Sequence, residues 1–141
     1  MLQTLKSLHT LHAAFAVCLG ACAGALARWQ LGLWLNHPNA WLPWGTLAAN
    51  LIGGYVIGVL AAVFLIHPDI NPVWRLLLVT GLMGGLTTFS SFSAEVVEMM
   101  VEQRWSQALS ETLLHVGGSF ALTYAGLRSA HWLLAAYYAH S

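Results

Sequence analysis

An all-α integral membrane protein is the fold class this sequence predicts, and three observations predict it. Hydrophobic residues make up 58% of the 141 residues and charged residues only 7%, with a mean hydropathy of +0.68. Soluble domains carry about 25% charged residues, so the few charges present cannot cover a globular surface. Four apolar stretches, at 11–35, 42–66, 73–101 and 108–136, each exceed the roughly 20 residues that a spanning helix needs. The third stretch is interrupted by Gly84-Gly85-Leu86-Thr87-Thr88-Phe89-Ser90-Ser91-Phe92-Ser93-Ala94. Irregular backbone at mid-membrane depth is tolerated only where it is buried in protein or lines a cavity. The expectation is one transmembrane domain over residues 1–141, with four helices, a mid-membrane break in the third and a pathway centred on that break. The formal net charge is zero, which removes any electrostatic case for a nucleic-acid partner.

The first stretch follows Lys6, and Leu19-Gly20-Ala21-Cys22 resembles a lipoprotein cleavage site. The apolar run nevertheless continues past Cys22 to Leu35 without a polar break, so it reads as a span. Cys18 and Cys22, one turn apart, read as small hydrophobes. Residues four apart share a helix face, and here Gly20, Gly24, Arg28 and Gly32 form one row. After Asn36-His37-Pro38-Asn39, the second stretch carries the row Thr46, Asn50, Gly54, Gly58. After the loop His67-Pro68-Asp69-Ile70-Asn71-Pro72 comes the interrupted third. Glu102-Gln103-Arg104 leads to the fourth, with the row Glu111, His115, Ser119, Thr123. That last row covers roughly 18 Å at 1.5 Å per residue.

The loops are short, so both chain ends fall on one side. Lys6, Arg75 and Arg128 count towards that side, Arg104 and Arg28 towards the other. Lys/Arg asymmetry in short loops sets orientation, and here it is nearly balanced. The expected result is weak orientation that allows insertion both ways, which would permit an antiparallel dimer; four helices are also few to enclose a polar route alone, so an oligomer is expected.

Several side chains admit two readings. The Gly-xxx-Gly pairs Gly20/Gly24, Gly54/Gly58 and Gly81/Gly85 fit close helix packing. Asn50 and Ser119 either bridge helices or line a pathway, since polar groups in the membrane interior face the bundle or a water-filled cavity. Arg28 either snorkels to the interface or supplies positive potential to an anion vestibule. Glu95 either braces the broken helix through nearby hydroxyls or serves as a proton-coupling carboxylate. Phe89 and Phe92, three apart, are core residues or present ring edges to one side. Amides and hydroxyls donate hydrogen bonds and aromatic edges are positive, so the set Asn50, Thr46, Thr88, Ser91, Ser119, Phe89 and Phe92 suits a small anion. Cation filters favour acidic rings, which the stripes lack.

Gly20-Ala21-Cys22-Ala23-Gly24-Ala25-Leu26-Ala27-Arg28-Trp29 resembles the first-helix signature of the Fluc (CrcB-type) fluoride channels. Pro43-Trp44-Gly45-Thr46-Leu47-Ala48-Ala49-Asn50-Leu51-Ile52-Gly53-Gly54 resembles their second helix. Thr80-Gly81-Leu82-Met83-Gly84-Gly85 with the residues on to Glu95 resembles their third-helix break, and Gly118-Ser119-Phe120-Ala121 their fourth helix. The resemblance implies a dual-topology homodimer that passively exports fluoride across the inner (plasma) membrane of a microbe. It implies that Asn50 is the pore asparagine, that Phe89 and Phe92 contact fluoride by their edges, that Ser119 lies on the route with Thr46 beside it, and that Arg28 stands at a vestibule. It also implies a structural Na⁺ at the dimer centre, held by backbone carbonyls at Gly84 and Thr87.

His115 and Glu111 depart from the family pattern, which has Ser or Asn at the first and a neutral residue at the second. His115 donates similarly or adds pH sensitivity, and Glu111 is placed to pair with it. The rival function is a small proton-coupled dual-topology exporter. That chemistry needs a carboxylate in the first span, which carries Arg28 instead. No nucleophile–base motif or phosphate loop suggests an enzyme; Gly81-Leu82-Met83-Gly84-Gly85 lacks the lysine of a phosphate loop.

Overall fold

The computed structural model describes residues 2–139, with the backbone alone described over 2–9. The side chain of Lys6, one of the charges counted for orientation, therefore lies outside the described residues. The described chain is helical and has no strand. Helix α1 spans Leu2–Leu35 and α2 spans Trp44–Ile66. The third segment runs through α3 (Pro72–Arg75), a π-helical stretch Leu76–Met83, α4 (Gly84–Leu86) and α5 (Phe89–Val101). Helix α6 spans Trp105–Ala139.

Helix starts follow local chemistry. Asn36 Oδ1 accepts the Gly45 N–H at 2.6 Å, satisfying a free donor at the start of α2. Asn71 Oδ1 accepts from Val73 N with Pro72 beside it, an N-cap followed by the residue best suited to the first helical position. Between α5 and α6, Gln103 takes a left-handed φ of 62° in the tight turn.

Among the described residues three segments are long and apolar enough to cross a membrane: Thr10–Leu35, Trp44–Ile66 and Pro72–Val101. The stretch expected at 108–136 forms the longest helix, yet it does not reach that apolarity. Glu111, His115, Ser119, Thr123 and Arg128 on α6 dilute it.

Packing is governed by small residues. A Cβ added at Gly20 or Gly24 would strike the backbone at Leu77 or Leu82, so α1 lies directly against the third segment. Gly54, Gly58 and Gly126 do the same between α2 and α6: a Cβ at Gly58 would meet the Thr123 carbonyl and one at Gly126 the Tyr55 carbonyl. The Thr123 hydroxyl donates to Gly54 O at 3.0 Å across this contact. The packing reading of the glycine rows is therefore correct for these positions. Ala49, Met83 and Leu86 form a core cluster where α2 meets the third segment.

The loops sort by end. The turn after α1 and the turn before α6 share a cleft lined by Asn36, His37, Glu98 and Arg104, and Gln107 donates to Trp41 O. At the opposite end His12 and Phe15 line a cleft with Asp69 and Trp74, and Tyr138 contacts His67. The start of α1 and the end of α6 thus lie at one end of the bundle.

Candidate functional site

The third segment departs from helix over two residues, Thr87 and Thr88, not over the eleven expected. Thr87 has φ −82° and ψ 152°, Thr88 φ −150° and ψ 117°, both extended. Short side chains explain how narrow the gap is. Thr87 closes α4 by donating both its N–H and its hydroxyl to Met83 O at 2.9 Å. Thr88 opens α5 as its N-cap, its Oγ1 accepting from Ser91 N at 3.1 Å. Ser93 returns its hydroxyl to Phe89 O, which keeps the hydroxyl-rich run helical.

What holds the gap open is Asn50 on α2. Its Oδ1 accepts from Thr88 N at 2.7 Å and its Nδ2 donates to Thr88 O at 3.0 Å. The amide thereby bonds both backbone groups of one residue, as a neighbouring strand would, taking the N–H out of the helical ladder while the C=O also starts α5. The second Nδ2 hydrogen faces His115 Nδ1 at 3.0 Å. Both donors of Asn50 are therefore engaged inside the protein.

Two clefts flank Thr88. One, of about 420 Å³, is lined by Asn50, Thr87, Thr88, Phe89, Phe92, His115 and Ser119. Its lining residues include no Asp, Glu, Lys or Arg. Phe92 is 7% exposed and Phe89 78%. Their rings meet edge to face at 5.6 Å. His115 stacks on Phe92 at 4.5 Å and 17°, so one Phe92 face is covered and its perimeter is left to the cleft. The Ser119 hydroxyl makes no hydrogen bond among the described residues and is a free donor there.

The other cleft, of about 300 Å³, gathers Arg28, Thr46, Thr88, Ser91 and Glu95. Arg28 Nε donates to Gly85 O at 3.2 Å, so the guanidinium supports the break instead of reaching only for an interface. Ser91 Oγ accepts from Thr88 Oγ1 at 3.1 Å, which leaves the Ser91 proton to donate elsewhere. Thr46 Oγ1 donates to Glu95 Oε1 at 2.6 Å, and this is the bracing through a hydroxyl that one reading of Glu95 required.

Glu111 and His115 do pair. Glu111 Oε1 lies 2.7 Å from His115 Nε2, with side-chain exposures of 0% and 3%. The approach is off the hydrogen-bond axis, and neither Glu111 oxygen has another partner.

The carbonyls expected to hold a cation are freed by the same contacts. The Thr88 N–H that would close on Gly84 goes to Asn50, and the Ser91 N–H that would close on Thr87 goes to Thr88 Oγ1. Gly84 is exposed, with nothing nearer to an added Cβ than Val79 O at 3.9 Å. Unpaired carbonyl oxygens at an open surface fit a hard cation. Sequence reasoning missed the Gly85 carbonyl as the Arg28 partner and the Asn50 grip on Thr88, because neither partner is a side chain.

Residues 15–127 match the family described as CrcB-like protein, Camphor Resistance (CrcB). The fluoride-specific ion channel FluC of Paracidovorax citrulli is 61% identical over 119 residues, 84% of this chain and 94% of its own length. Its counterpart in Albidiferax ferrireducens is 61% identical over 120 residues, 85% of this chain and 92% of its own. That of Bordetella petrii is 54% identical over 134 residues, 94% of this chain and 99% of its own. With the match covering most of the described helices, and several of those helices apolar enough to span, the chain is a multi-pass membrane protein that belongs to the CrcB family.

Proposed function

We propose that this chain is a fluoride-selective channel that passively exports cytoplasmic fluoride. It works as an antiparallel homodimer of four-span subunits in the inner (plasma) membrane, with the Thr87–Thr88 break near the membrane midplane. The observation that carries the reading is the cleft beside that break, which offers uncharged donors and phenyl perimeters and no charged lining residue. Relatives at 61% identity are named fluoride-specific channels, which supports the same ion here.

Fluoride holds its water tightly, so a route must replace that water with donors. Ser119 and Ser91 have hydroxyl protons free for an anion. The perimeters of Phe89 and Phe92 supply the positive edge of the ring quadrupole. Neutral, repeated contacts of this kind also let the ion leave. Asn50 acts first on the protein, by fixing Thr88; one of its hydrogens reaches an anion only on leaving His115 or Thr88. Arg28 lends positive potential to the second cleft while tied to Gly85 O. The carbonyls of Gly84 and Thr87 would hold a structural Na⁺ at the meeting of two copies, where the cation would offset converging carbonyl dipoles. A second copy would also cover Phe89, which is exposed in a single chain.

A proton-coupled exporter is not favoured, because the first span has no carboxylate and its Arg28 is committed to the break. Passive export suits fluoride, since HF enters across lipid from acid surroundings, dissociates inside and traps the anion. The test is efflux from vesicles holding the pure protein, followed by fluoride and chloride electrodes in parallel. Fluoride leaves and chloride stays. Retention of both ions, or equal release, would sink the reading. Phe92→Ile lowers fluoride efflux at least tenfold while the oligomer stays intact on size exclusion, and unchanged efflux in that variant would remove the ring edges from the route.

A further inference from the structure

The Asn50 grip on Thr88 fixes a hydrogen two residues away in the chain of contacts. Asn50 Oδ1 accepts from Thr88 N, so the amide cannot be turned round without setting Nδ2 against an N–H. Nδ2 therefore faces His115 Nδ1 at 3.0 Å, and Nδ2 can only donate. It follows that Nδ1 is the accepting, unprotonated nitrogen. A neutral imidazole has one hydrogen, which must then sit on Nε2, the atom 2.7 Å from the buried Glu111 carboxyl. The ring plane is held by stacking on Phe92. Glu111, fully buried with no other partner for either oxygen, has no contact to explain it except this one.

We propose that Glu111 and His115 are positioning residues. Asn50 and the Glu111 carboxyl together favour the Nε2–H tautomer of His115, His115 Nδ1 then takes the second hydrogen of the Asn50 amide, and the amide so held keeps Thr88 out of the helix. A second proton on His115 must enter at Nδ1, where it meets the Asn50 N–H donor to donor, and the grip on Thr88 loosens. The groups facing His115 are Glu111 from its own helix, Asn50 from α2 and the uncharged Phe92 from α5. Glu95 of α5, bonded to Thr46, lies within electrostatic reach of both Glu111 and His115. The flux consequence rests on the channel reading above; the tautomer does not.

The experiment uses the full chain in lipid vesicles with ¹⁵N-labelled histidine. His115 resonances are assigned by difference from His115→Asn, and fluoride efflux is recorded between pH 5.5 and 8 against protein-free vesicles that report HF leak. In the natural sequence at pH 7.5, His115 shows a protonated Nε2 and a bare Nδ1. Efflux falls on the acid side. Glu111→Gln changes the group beside Nε2 without changing its size, so its efflux profile departs from that of the natural sequence. His115→Asn has a flat profile at whatever level it conducts. Glu111→Met, which removes the carboxyl beside Nε2, raises the share of the Nδ1–H form; should that variant not fold, the Glu111→Gln profile carries the test. A bare Nε2 in the natural protein, or a flat profile there, overturns the assignment. The expected tautomer in vesicles that release no fluoride would support the positioning and sink the channel reading instead.

Discussion

Asn50 is the side chain on which the most contacts converge, and they define what removing it does. Asn50→Ala strands the Thr88 N–H and the His115 Nδ1 together, while the Thr88 C=O keeps the first bond of α5. An unsatisfied buried polar group costs about 1–3 kcal/mol, and the gap at Thr87–Thr88 loses its external support. The expected outcome is fluoride efflux at least tenfold lower and a lower unfolding temperature in detergent, read by electrode and by thermal scan. Unaffected efflux would return Asn50 to plain helix bridging. The row of Asn50 on one helix and of His115 with Ser119 on another was legible beforehand from four-residue spacing, and Phe92 with Phe89 from a spacing of three; that they line one cleft is what the structure adds. That Asn50 spends its donors on backbone was not legible. A backbone partner leaves no mark in the sequence, and its register depends on how α2 packs against the third segment.

At the scale of helices, the glycine rows were legible as close approaches, and the structure gives each row its neighbour: α1 against the third segment, α2 against α6. Gly58 is the sharpest case, since an added Cβ would meet backbone atoms of Thr123 and Leu127 and no flexible side chain that might yield. Gly58→Val should push α2 and α6 apart at a cost of about 1–3 kcal/mol, the usual range for overpacking. A melting temperature within error of the parent protein would show that the two helices slide freely past one another. The π-helical stretch Leu76–Met83 could not have been read in advance. Its sequence, Leu-Leu-Leu-Val-Thr-Gly-Leu-Met, is apolar enough for any buried helix, and the wider turn is a matter of register. Such turns often accompany functional sites, and this one leads directly into Gly84 and the break. The sequence suggests an interruption over the eleven residues 84–94, whereas capping and back-bonding confine the irregular backbone to Thr87 and Thr88.

The whole molecule places the turns after α1 and before α6 at one end, and the start of α1, the Asp69 turn and the end of α6 at the other. Among the described residues Arg104 then stands at the first end and Arg75 and Arg128 towards the second, while Arg28, counted towards the first end in the sequence, is drawn to the break. Orientation follows Lys/Arg near the ends of spans, with acidic residues contributing little. So few cations near the span ends predict a weak preferred direction, and the proposed antiparallel pair needs both directions from one gene. The pairing is therefore open to a test that leaves the two clefts beside Thr88 untouched. His37→Lys with Asn39→Lys loads the first end, and Pro68→Lys with Asp69→Lys loads the second; all four positions are exposed. Each double variant, produced alone, should insert one way, accumulate in the membrane without antiparallel partners and release fluoride at least tenfold more slowly from vesicles made of native membrane. Produced together, the two should restore efflux, because each supplies the orientation the other lacks. Full efflux from either variant alone, with its orientation verified by accessibility of a single loop cysteine, would mean that one direction suffices and that the conducting unit is not an inverted pair.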